Sequence, residues 1–254
     1  MSLNHQEFLR YSRQMMVADM GEEAQEKLKG ATVIIVGLGG LGCPASLYLA
    51  ASGVGKLILI DDDEIELSNL QRQILFRDKD IGKSKAKVAA KRLSKLNPNI
   101  ELEVLVERID RHDLIGFAEE ANLILDCTDN LSSRQEINRA AVAYKKPMIS
   151  ASALGWEGQL MELRPDLESC ACFACAYGSQ VDEPLQNCST AGVMGPVLGV
   201  LGSMQCSRAI QVLIGNNTTK NSQLARFDGK TGYWTQFALA KSAKCDVCSE
   251  AANT

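Results

Sequence analysis

The sequence predicts an α/β protein: a Rossmann-like, doubly wound, mostly parallel sheet followed by a zinc-bound C-terminal part containing antiparallel strands. Three observations predict it. Short apolar runs alternate with helical patterns from residue 29 to about 152. The first run leads straight into a glycine-rich turn. Two C-x-x-C pairs stand in the last third of the chain. Alternation of this kind builds parallel strands joined by right-handed crossovers.

In chain order, residues 6 to about 28 have helical spacing, with Phe8, Tyr11, Met15 and Met16 on one side. A β-branched strand over 32–36 precedes a helix over about 41–52, and the next strand covers 56–60. A helix at about 84–96 ends at Asn97-Pro98, since the residue before proline is driven out of the helical region. A strand over 100–106, a short helix near 112–120, a strand over 123–126, a helix over about 130–145 and a strand over 147–152 follow. The pattern then changes. Residues 157–164 alternate like an antiparallel strand, and 165–190 are cysteine-rich with little periodicity. An apolar run over 191–214, interrupted by Pro196, Ser203, Gln205 and Arg208, predicts a buried helix rather than a membrane span. Residues 224–227 and 233–239 predict a hairpin around Gly229 and Gly232. The whole of 1–254 is expected to form one unit: a helical arm to about 28, a nucleotide-binding half over 29–155, and a metal-holding half over 156–254.

Bulk properties narrow the function. The 254 residues are 46% hydrophobic and 23% charged, as in a soluble globular protein. A net charge of −4 argues against a general nucleic-acid binder, which would carry a basic field. The first 21 residues hold no apolar export segment, so a cytoplasmic location is expected. Nine cysteines in a reducing compartment point to metal binding or thiol chemistry before disulfides.

The turn Gly37-Leu38-Gly39-Gly40-Leu41-Gly42 follows a strand and opens a helix. Glycine there lets the backbone approach phosphate, while the helix start offers unpaired N–H groups. Asp61 ends the next strand, placed to accept from a ribose hydroxyl. Taken alone, this fingerprint favours an NAD-dependent oxidoreductase.

The loops after successive strands carry more. Ser68-Asn69-Leu70-Gln71-Arg72-Gln73, Lys85 and Asp126-Cys127-Thr128-Asp129-Asn130 should gather at the carboxyl edge of the sheet. Arg72 can grip phosphate oxygens in a fork, Lys85 can offset their charge, and Asp129 can hold magnesium on them. Singly, Arg72 or Lys85 would be an ordinary surface charge and Asp129 a helix cap. An oxidoreductase would leave all three without a task.

Cys172-Phe173-Ala174-Cys175 and Cys245-Asp246-Val247-Cys248 suit a closed tetrahedral zinc site that pins the C-terminal tail. Free thiols or a redox pair are the alternative, and Cys170 stands close enough to compete as a ligand. Cys43, Cys127 and Cys206 are expected to be packing residues.

Across almost its whole length the sequence resembles the ThiF/MoeB/HesA family of ubiquitin-activating-like adenylyltransferases. The resemblance rests on Arg10-Tyr11-Ser12-Arg13-Gln14, the glycine turn, the string from Ser68 to Gln73, the string from Asp126 to Asn130, and the cysteine pairs. It implies ATP-dependent adenylation of the C-terminal glycine carboxylate of a small ubiquitin-like carrier, with the half over 156–254 binding that carrier. It also implies that Gly40, Asp61, Ser68, Asn69, Arg72, Lys85, Asp129 and Asn130 contact ATP or its magnesium. Arg13 would come from the partner subunit of a homodimer. Cys188 matches a sulfur-handling cysteine that links to the carrier; Ser189 stands where the family commonly has arginine. A loop cysteine without a role is the other reading of Cys188. The stretches Ser150-Ala151-Ser152-Ala153-Leu154-Gly155 and Phe227-Asp228-Gly229-Lys230 look like the branch that acts on ThiS, the sulfur carrier of thiamine thiazole synthesis. MoeB-type adenylation of the molybdopterin synthase small subunit is the alternative. With no rhodanese-like extension after Cys248, sulfur is expected from a partner such as a cysteine desulfurase or rhodanese.

Overall fold

The structure, a computed structural model, describes residues 2–108, 111–179, 192–216 and 221–249. The N-terminal arm is two helices, α1 (His5–Met15) and α2 (Gly21–Lys29), where helical spacing predicted one. Asn4 and Glu7 close a capping box at the start of α1. The chain breaks before α2 at Asp19 (φ 72°), whose left-handed backbone interrupts a right-handed helix, and α2 opens on Gly21 (φ 47°), where glycine tolerates the same sign of φ. Tyr11 alone of the predicted stripe is buried, whereas Phe8 and Met16 are exposed. The Tyr11 hydroxyl accepts from Asn97 Nδ2 at 2.8 Å, which fastens α1 to the main body.

The sheet is assembled from β1 (Thr32–Val36), β2 (Lys56–Ile60), β3 (Glu101–Leu105), β4 (Leu123–Asp126), β5 (Met148–Leu154), β6 (Glu157–Leu163), β7 (Gln223–Asp228) and β8 (Trp234–Ala238). Their order is β3-β2-β1-β4-β5-β6-β7-β8. The first five are parallel and the last three antiparallel. The C-terminal strands thus extend the nucleotide-binding sheet itself. Alternation sorts side chains to two faces, as the period of two requires. Val33, Ile35, Leu57 and Leu59 face α3 (Gly42–Ser52), α4 (Lys85–Leu96) and α8 (Gly195–Ile214). Ile34, Val36, Ile58 and Ile60 face α5 (Arg111–Glu120) and α6 (Leu131–Ala143). Residues buried on both faces explain the uninterrupted apolar strands in the sequence.

A short helix, α7 (Phe173–Tyr177), carries the first cysteine pair. Helix α8 is long and apolar enough to cross a membrane by composition alone. Here it packs along the sheet, and its fully buried Gln205 donates to Asp126 O and Ile149 O at 2.8 and 3.1 Å. It starts at Gly195; Val193, just before, is extended and bridges to Gly155. Chain connections leave β1 toward β2 on one side while β4 lies on the other, so the crevice opens between β1 and β4.

Candidate active site

At that crevice the backbones after β1 and β4 almost touch. Gly37 has φ 89°, and a Cβ on it would fall 2.8 Å from Cys127 O. One on Gly42 would fall 1.9 Å from Gly37 O, so the turn closes only with glycine at both positions. Gly39 is different: a Cβ there would meet only Gln73 Nε2, at an ordinary 3.6 Å. Its missing side chain leaves open space toward the cavity.

The cavity has a volume of about 1160 Å³. Gly37, Gly39 and Gly40 border it after β1, and Asp61 after β2. Asn69, Arg72, Gln73 and Lys85 come from the connection to α4, while Asp129 and Asn130 come from the loop after β4. Ser68 and Gly42 stand behind this lining: Ser68 Oγ donates to Glu66 Oε2 at 3.1 Å, and Gly42 packs under the turn. Arg13 lies on α1, exposed and outside the lining. Cys188 lies outside the described residues.

The groups differ in how far the protein already engages them. Asp61 accepts from Leu38 N at 2.6 Å and Asp63 N at 2.9 Å, so it braces the glycine turn from below. Burial pushes its carboxyl above the usual range, against the opposing pull of the Lys85 ammonium and those two amides. Lys85 is buried at the start of α4, its Nζ 2.7 Å from Asp63 Oδ2. Arg72 donates to Ser68 O at 2.9 Å but has no acidic partner among the described residues. Asn130 Oδ1 accepts from Ser133 N at 2.9 Å, so Asn130 is the cap of α6. That frees Asp129, which is exposed to the cavity without a partner among the described residues. Gln73 is 3% exposed, yet its Oε1 has no hydrogen-bond partner among the described residues. A buried amide oxygen left so costs about 1–3 kcal/mol, a debt that a bound donor would remove.

Sequence reasoning missed Arg134, which lines the cavity and holds the network beneath it. Asp126, fully buried, accepts from Thr128 N at 3.0 Å and Thr128 Oγ1 at 2.6 Å, and from Ser150 Oγ. Arg134 from α6 donates to Ala151 O at 2.7 Å and to Thr128 O, with its Nε 3.8 Å from Asp126 Oδ2. This network fixes the loop that presents Asp129. Arg134 stands eight residues after Asp126 on a helix facing β4, the one cue that the sequence held.

Four sulfurs converge elsewhere. Cys172, Cys175, Cys245 and Cys248 have all Sγ atoms within 4.8 Å of one another. Three of the separations are 3.4, 3.7 and 3.9 Å, too long for disulfides. Zn–S bonds of about 2.3 Å set the edges of a tetrahedron at about 3.8 Å. The donor set and its spacing therefore fit a tetrahedral metal ion, and Cys170 stays outside the group. Cys43, Cys127 and Cys206 do not resemble nucleophiles: burial pushes Cys43 and Cys206 up to about 12, and Cys127 upward as well.

Comparison with known proteins decides the family. The model described as "ThiF family" matches residues 11–247. The chain belongs to the ThiF family. It is 48% identical to the sulfur carrier protein ThiS adenylyltransferase of Escherichia coli, over 97% of each chain. It is 39% identical to the molybdopterin-synthase adenylyltransferase of the same organism, covering 98% of this chain and 99% of that one. Among solved structures, E. coli MccB with ATP superposes with a TM-score of 0.80 at 26% identity, over 97% of this chain and 75% of that one. As a ThiF-family member this is an adenylyltransferase.

Proposed function

We propose that this protein adenylates the C-terminal glycine carboxylate of a ThiS-class sulfur carrier, forming an acyl adenylate and releasing pyrophosphate. The observation that carries this is Arg72, Lys85 and Asp129 on one cavity with the open Gly39 turn, in a chain 48% identical to a ThiS adenylyltransferase. The attacking group is the carrier's own carboxylate. One of its oxygens bonds to the α-phosphorus, the bond to the β-phosphate oxygen breaks, and the electron pair leaves with pyrophosphate. The carboxylate is already ionised, so no base is required. The obstacle is two anions meeting, which fixed cations and helix-start amides offset.

Each residue has a task in that chemistry. Gly37, Gly39, Gly40 and Gly42 shape the phosphate cradle, and Asp61 faces the ribose. Arg72 and Lys85 neutralise phosphate oxygens. Asp129, assisted by Asn130, holds magnesium, which shields the charge on the phosphates of ATP. Ser68, Asn69 and Gln73 complete the lining. The four cysteines hold one structural zinc per chain and staple the C-terminal tail to α7. Residues 1–254 act as a single unit on this reading.

Arg13 is supplied to the neighbouring protomer's cavity in a homodimer. Exposed Phe8, Leu9, Met16, Val17 and Tyr48 supply an apolar surface of the kind that association buries. On this reading the Cys188 thiolate attacks the carbonyl carbon of the acyl adenylate, AMP leaves and a thioester to the carrier forms, while a desulfurase or rhodanese partner supplies the sulfur. Cys188→Ser should then leave adenylation intact and abolish the adduct. The protein works in the cytoplasm, without nucleic acid or membrane.

A second reading, adenylation of the molybdopterin synthase small subunit, is favoured by the 39% identity to its adenylyltransferase. ATP–pyrophosphate exchange, run with each carrier class in turn, separates the two. Exchange dependent on the ThiS-class carrier is expected; exchange with neither would overturn carboxylate adenylation.

A further inference from the structure

Helix α6 touches both the cavity and the cysteine cluster. At its start Asn130 caps it beside Asp129; one turn on, Arg134 pins the cavity floor; one turn further comes Asn138. A spacing of four places these residues on one face of the helix. Asn138 is 1% exposed and spends its amide in two directions. Its Oδ1 accepts from Phe173 N at 2.8 Å, the first amide of α7. Its Nδ2 lies 3.6 Å from Cys172 Sγ, as a donor to sulfur. Gln135, three residues before Asn138 on the same helix, donates to Gly178 O just past the end of α7.

Helix α7 is at once part of the metal knuckle and part of the cavity wall. Cys172 and Cys175 bracket Phe173, and Phe173 and Tyr177 line the cavity with their rings stacked 4.8 Å apart. Tyr177 also donates to Gln159 on β6. This wall stands on the β5–β6 side of the crevice, opposite Asp61 on the β2 side. A nucleoside held by Asp61 leaves the β5–β6 side to the acyl substrate.

We propose that Asn138 is a positioning residue through which the four-cysteine knuckle fixes this wall, so that metal occupancy sets how well the carrier tail is held. A thiolate at Cys172 is a stronger acceptor than a thiol, so the amide donor favours the metal-bound form and orients its sulfur. The acceptor end of the same amide then hands that position to Phe173. The carrier half of this inference rests on the adenylation reading; the metal half does not.

The test uses zinc-loaded full-length protein with Asn138→Asp and Asn138→Ala. Asp keeps the acceptor for Phe173 N and nearly the same shape, but replaces the donor facing Cys172 with an oxygen anion. Zinc transfer to a chromogenic chelator needs no carrier and should be about 10–100-fold faster in both variants. In pyrophosphate exchange the carrier KM should rise several-fold, with the ATP KM within about twofold of wild type. Zinc release by Asn138→Asp at the wild-type rate would overturn the role at the metal. Faster release with an unchanged carrier KM would overturn the link to the wall. Absence of exchange in the wild type itself would count against the adenylation reading, with the zinc-release result standing on its own.

Discussion

Lys85 Nζ and Asp63 Oδ2 lie 2.7 Å apart at the rim of the nucleotide cavity, with the lysine buried and the aspartate exposed. Lys85 is the first residue of α4, where the helix end is already positive. A buried cation is expensive at such a place unless anions face it. Asp63 supplies one, and triphosphate would supply a stronger set. Lys85→Met, which keeps the stem and removes the charge, should lower carrier-dependent pyrophosphate exchange by about 10²–10³-fold. A variant within threefold of wild type would remove Lys85 from the chemistry.

Arg72 and Asp129 have no oppositely charged partner among the described residues, although both border the cavity. A charge kept unpaired beside a cavity is available to a ligand. Arg72→Ala and Asp129→Ala should each reduce exchange by about 10²–10³-fold. The two should differ in rescue. Raised magnesium is expected to recover part of the Asp129→Asn activity and none of the Arg72→Ala activity, as a magnesium titration of exchange would show. Identical responses would break the division of labour between them.

Two glycines of the turn, Gly42 and Gly39, separate folding from binding. Gly42→Ala forces a methyl to 1.9 Å from Gly37 O and should prevent stable folding. Gly39→Ala meets nothing among the described residues closer than 3.6 Å, so its melting temperature should stay close to wild type. Its methyl instead occupies the open space beside the turn. Weaker ATP binding by calorimetry, with normal thermal unfolding, is the expected signature; unchanged affinity would mean that phosphate does not approach Gly39.

Where one local rule dominated, the sequence was enough. Strands β1, β2 and β4 stand where their apolar runs put them, because burial on both faces leaves no other period to follow. The loops carrying Arg72, Lys85 and Asp129 meet because parallel topology brings successive strand ends to one edge. The N-terminal arm was misjudged: Phe8 and Met16 keep helical spacing but face outward, and a left-handed Asp19 splits the helix without a proline to announce it. Arg134 was overlooked since a lone helical arginine reads as surface charge, and only tertiary contact reveals Asp126 beneath it. Asn138 was silent for the same reason: its partners, Cys172 and Phe173, are 34 and 35 residues away in the chain.

The Asp126–Arg134 pair should therefore be a structural liability when broken. Asp126 is fully buried and Arg134 is 8% exposed, so neither charge can recover hydration where it stands. Arg134→Met removes the guanidinium that joins β4, β5 and the Thr128 carbonyl, and leaves the carboxylate with only neutral donors. Loss of one member of a buried pair costs about 3–5 kcal/mol. Urea unfolding at neutral pH should show that loss for Arg134→Met. Adding Asp126→Asn should restore a substantial part, because the stranded charge is gone and an amide can still accept from Thr128 N. Were the double variant as unstable as the sum of the two single ones, the residues would be acting independently. The network would then be holding the Asp129 loop through its hydrogen bonds alone.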